Sequence, residues 1–62
     1  MKQKELVEML ADTYAARNRG QCPSSRFISI RGRIRQLCHK HGYRFPDVDR
    51  EAKVLAKVKT AA

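Results

Sequence analysis

An all-α fold, a small three-helix domain with helices at about 3–19, 24–41 and 47–59, follows from apolar residues that recur at helical spacing in three segments. Two glycines, Gly20 and Gly42, stand where the first two segments end, and two short breaks, GQCPSS and YRFP, separate the three. The whole chain, 1–62, reads as a single small basic helical domain with no internal repeat. A domain of this size buries only about 60% of the surface its unfolded chain exposes. A homodimer is one way to enlarge so shallow a core. An enclosed catalytic cleft would need residues beyond those the core consumes, so neither an enzyme activity nor a cofactor is expected.

In the first segment Leu6, Val7, Leu10 and Tyr14 fall within one arc at 100° per residue, with Met9 and Ala11 widening it. Arg17 and Arg19 occupy the last turn, where the helix dipole favours cations, and Gly20 suits a left-handed stop. Pro23 then disfavours helix at Cys22, and Ser24 or Ser25 is placed to cap the next helix.

The second segment, SSRFISIRGRIRQLCHKH, puts Phe27, Ile30, Ile34, Leu37, Cys38 and His41 on an inward arc about 100° wide. Arg31 and Arg35 flank that arc on one side; Arg26, Arg33 and Lys40 flank it on the other. Ser29, Gly32, Gln36 and His39 form the solvent-facing centre. Extended structure competes here, because Ile28, Ile30 and Ile34 alternate with polar residues and IRGRI could turn at Gly32. Against it stand Phe27 beside Ile28 and Leu37 beside Cys38, which break the alternation, and the marginal stability of a lone hairpin.

Asp47 is the expected cap of the third helix, in which acids come first and lysines last and Asp49 pairs with Lys53 at i,i+4. Val48, Ala52 and Leu55 make its inward stripe with Val58 at the margin, and the tail KTAA is expected to fray. Tyr43 and Phe45 in the connector are expected to pack back onto the core.

The charge is distributed unevenly. The formal net charge of +8 is carried by residues 17–46, which hold Arg17, Arg19, Arg26, Arg31, Arg33, Arg35, Lys40 and Arg44 and no acid; residues 1–16 sum to −1 and 47–62 to +1. An uncompensated positive segment repels itself, and a polyanion that releases counterions on binding is the commonest reason to keep one. The expected partner is therefore a nucleic acid, with DNA preferred over RNA, and the expected function is that of a small regulatory DNA-binding protein. Arg33 and Gln36, in line with Ser29 and Lys40, would meet base edges; Arg26, Lys40, Arg31 and Arg35 would hold phosphates. Arg17, Arg19 and Arg44 would extend the phosphate footprint.

The first two helices loosely resemble a helix-turn-helix: Ala16 and Gly20 stand four apart, and Phe27 and Ile30 follow as inward residues of the second helix. The turn is longer than that pattern's by about one residue, and Arg19 stands where an apolar residue is usual. The resemblance implies a second helix that reads the major groove. The rival reading, from a different class, is a protein-binding modulator that docks its basic helix on an acidic surface of a larger protein.

Cys22, Cys38, His39 and His41 are zinc-ligand types, but their spacing matches no standard ligand pair, and one continuous helix would put Cys22 roughly 24 Å from Cys38. No metal site is expected on that arrangement; a hairpin at Gly32 would reopen the question. The chain lacks the apolar run of a membrane span or signal peptide, so a cytoplasmic protein with reduced thiols and no membrane partner is expected.

Overall fold

Helices α1 (Gln3–Asn18), α2 (Ser24–His41) and α3 (Phe45–Ala61) form the domain, with no strand among the described residues. The structure is a computed structural model and describes residues 2–61. The segment that could have paired as a hairpin is one uninterrupted helix through Gly32.

Both inter-helix corners turn on glycine. Gly20 has φ 72° and Gly42 φ 77°, left-handed values that cost an L side chain about 1 kcal/mol or more. After α1 the Gln21 N–H donates to the Ala16 carbonyl (2.8 Å) and the Gly20 N–H to that of Arg17 (3.0 Å). After α2 the Tyr43 N–H donates to Cys38 (2.8 Å) and the Gly42 N–H to His39 (3.3 Å). These are paired Schellman closures, which satisfy the orphan carbonyls and throw the chain back on itself.

The helix starts differ from expectation. Pro23, with φ −59° and ψ 148°, is the N-cap of α2; its carbonyl accepts from the Phe27 N–H at 2.9 Å, and neither Ser24 nor Ser25 makes a capping bond. Helix α3 begins at Phe45, because the Arg44 carbonyl accepts the N–H groups of both Asp47 and Val48 (3.2 Å each) and Pro46, lying in the first turn, has no N–H to leave unpaired. Asp47 is thus inside the helix and not its cap, pairing instead with Arg50 at 3.4 Å. Helix α1 stops one residue short of the expected 19, and α3 runs to Ala61, past the expected 59; Ala62 lies outside the described residues.

The core is organised around α1, which packs most extensively on α3, less on α2, while α2 and α3 meet sparingly. Flanked by both neighbours, α1 buries Leu6, Val7, Leu10, Ala11, Thr13, Tyr14 and Ala15, far more than one face. Phe27, Ile34 and Cys38 from α2 and Val48, Ala52 and Ala56 from α3 complete the core, with Tyr43 and Phe45 packed against it. Each fully buried Leu or Ile contributes about 1.5–3 kcal/mol. His41, placed inward by periodicity, is exposed and stacks on Tyr43 at 6.2 Å between ring centroids. Val58 is likewise outside the core. The helix-turn-helix resemblance is not established by this packing, and Arg19 is exposed.

Gly32 is the one glycine within a helix, and a methyl group added there would meet nothing within 4 Å. Gly32→Ala should therefore stabilise the domain by about 1 kcal/mol, raising Tm by roughly 4–8 °C. Thermal unfolding followed by circular dichroism checks this.

Candidate nucleic-acid interface

Helix α2 presents Arg26, Ser29, Arg33, Arg35, Gln36 and Lys40 to solvent, and Arg44 follows exposed in the connector. Among the described residues, Arg26, Arg33, Arg35, Lys40 and Arg44 make no ion pair. For the cations of α2 this follows from the local sequence, whose positions one turn before and after each hold apolar, small, amide or basic residues; Arg44 has Asp47 three residues on, but that carboxylate pairs with Arg50.

Arg31 departs from that pattern. Its Nε–H donates to the Tyr14 hydroxyl (3.3 Å), Tyr14 in turn donates to Asp49, and Arg31 Nε lies 3.6 Å from the Asp49 carboxylate. The guanidinium also lies over the Phe45 ring, 4.9 Å from its centroid. On the other carboxylate oxygen Asp49 meets Lys53 at 3.2 Å, the expected i,i+4 pair. Arg31 is therefore bound up in a tie between α2, α1 and α3, and the segment that lacks acids in sequence is met by one in space.

The protonation states of this cluster are set by burial and hydrogen bonding. Burial pushes the Asp49 carboxyl up, but the bonds from Tyr14 and Lys53 and the nearby charges of Lys53 and Arg31 outweigh it and hold the group below the usual carboxylate range. Burial, followed by the bond to Asp49, raises Tyr14. The Tyr14 bond raises Arg31 against the cost of desolvation.

The remaining expected residues divide between two flanks of α2. Arg26, Arg33 and Lys40 lie on one. On the other, Arg31 and Arg35 join Arg17 of α1 and Lys53 and Lys57 of α3 around an open groove of about 700 Å³ in which, among the described residues, no carboxylate lines the wall. Arg17 covers the Phe27 ring at 4.7 Å. A second, smaller depression, which shares Arg35 and includes His39 and Arg44, continues the basic surface toward the end of α2. Arg19 stands apart: its guanidinium donates to the Lys59 carbonyl at 3.2 Å and fastens the end of α1 to α3.

Comparison with protein-family models, characterised proteins and solved structures finds no match. Sequence reasoning missed Lys53 and Lys57 as members of the site. The available signal was the run Asp49, Lys53, Lys57, one helical turn apart on the flank beside the Val48–Ala52–Ala56 stripe.

Cys22 and Cys38 are free thiols, the second fully buried and pushed up in pKa by that burial. Among the described residues no three His, Cys, Asp or Glu side chains gather as a metal site, and no helix is long and apolar enough to cross a membrane.

Proposed function

We propose that this protein binds double-stranded DNA through α2. The observation that carries the reading is the set of exposed cations on α2 and its C-terminal connector, Arg26, Arg33, Arg35, Lys40 and Arg44, with no carboxylate partner among the described residues. An α-helix with side chains is about 10–12 Å across and the B-DNA major groove about 12 Å wide, so α2 fits it lengthwise. A-form RNA has a major groove too narrow for side chains to read, which favours DNA.

In that arrangement Ser29, Arg33 and Gln36 face base edges: Arg pairs with the two acceptors of guanine, Gln with the acceptor and donor of adenine. Arg26, Arg35, Lys40 and Arg44 neutralise phosphates, and Arg17 stands at the edge of the footprint, while Arg19 is committed to the Lys59 carbonyl. Arg31 leaves the list of direct contacts, because it already serves Tyr14 and Asp49.

The test is a salt titration on a duplex with a selected sequence and on a scrambled one. Affinity should fall linearly in log–log form with a slope near −0.9 per phosphate contacted. Arg33→Ala and Gln36→Ala should each cost about 1–3 kcal/mol on the selected duplex and far less on the scrambled one. No binding to either duplex at low salt overturns the reading and hands the basic helix to an acidic protein surface.

A further inference from the structure

The groove between α2 and α3 adjoins the face just described, shares Arg35 with it, and gathers further cations. Its cations come from all three helices: Arg17 from α1, Arg35 from α2, Lys53 and Lys57 from α3, with Arg31 beneath them already bridged to Asp49. Like charges gathered around a cleft repel one another, and the field converging there is relieved by an anion entering it. Asp49 answers Arg31 and Lys53 from below. Arg17, Arg35 and Lys57 have no carboxylate among the described residues.

The groove also has a particular position. At 100° per residue, Arg35 lies roughly 140–180° around α2 from Lys40 and Arg26, with the Ser29, Gly32 and Gln36 ridge between them. A helix lying in a major groove meets one sugar-phosphate backbone on each flank. Arg26 and Lys40 supply cations for one of those strands.

We infer that the groove is the seat of the other: one strand's phosphodiester backbone lies between α2 and α3, its phosphates held by Arg17, Arg35 and Lys57, so that DNA is gripped by all three helices and not by α2 alone. The remaining lining suits such an occupant. Ile28, 68% exposed and without covering in the free domain, offers apolar wall to the sugar carbons. Gly32 sits on the rim with open space where a side chain would project, so a backbone can pass close to it.

This rests on the DNA reading above, and its test separates the two. Wild type, Lys57→Ala, the double variant Arg17→Ala/Lys57→Ala, and Lys4→Ala on the exposed side of α1 as control are titrated against one 20-base-pair duplex across a salt series. Each groove cation removed should lower the magnitude of the salt slope by about 0.9, equally for selected and scrambled sequences, with the control unchanged. Ethylation of phosphates should interfere with wild-type binding in one cluster on each strand, and the double variant should lose one of the clusters. If Arg26→Ala and Lys40→Ala lower the slope while the groove variants do not, α2 binds by its far flank only and the groove inference fails while the DNA reading stands. If the wild type binds no duplex, both fail.

Discussion

Asp49→Ala should cost about 2–3 kcal/mol of folding stability, lowering Tm by roughly 10–20 °C in a domain of this size. Removing one member of a buried charge pair costs about 3–5 kcal/mol, and the lower figure here allows for solvent at Arg31 and Lys53, whose side chains are 40% and 57% exposed. The loss is large because one carboxylate serves three partners: without it the Tyr14 hydroxyl loses its acceptor and the Arg31 guanidinium its counter-charge. Asp49→Asn keeps an acceptor for Tyr14 and should lose less, so the difference between the two variants reports the charge. Urea unfolding at neutral pH measures both.

The same residue imposes a pH dependence. Because its folded-state pKa is depressed, Asp49 contributes stability that is fully present above the unfolded value, about 3.9, and lost as pH falls through the lower folded value. Wild-type stability should therefore drop below about pH 4 more steeply than that of Asp49→Asn. At the other end Tyr14, raised in the fold, contributes stability present below about pH 10 and lost as pH climbs through its folded value.

The second large effect concerns binding. Reversing Arg26, Arg33 and Lys40 to glutamate lowers the formal net charge from +8 to +2, each reversal removing two charges. All three positions are exposed and free of ion pairs among the described residues, so folding should change by no more than about 0.5 kcal/mol per site. Duplex affinity should fall by about 100-fold or more at low salt, and the salt slope should lose about 2–3 units as these contacts turn repulsive. Fluorescence anisotropy, with circular dichroism to verify the fold, checks this; a triple variant that binds as well as wild type would remove α2 from the interface.

Much of the fold was legible because its signals are local. Gly20 and Gly42 stop their helices where the pattern ends, and Phe27, Ile34 and Cys38 are buried as their spacing requires. What was not legible depends on where neighbouring helices lie. A helical wheel assigns a direction to His41 but not the point at which the surface it faces runs out, and His41 is exposed. Asp49 and Lys53 read as an i,i+4 pair, and nothing local gives the burial of Asp49 against Tyr14, 35 residues away in the chain. For the candidate site, the cations of residues 26–44 were visible as one helix and its connector. The convergence of Lys53 and Lys57 on the same groove appears only once α3 is laid across α1.

The central position of α1 makes the molecule resemble an arch with a keystone. Its other two members bear on each other chiefly where Arg31 meets Asp49 and Phe45, so damage is distributed unequally. A lesion in the Leu6–Tyr14 stretch loosens both seams together, whereas an apolar lesion in either outer limb, away from the Asp49 tie, falls chiefly on one.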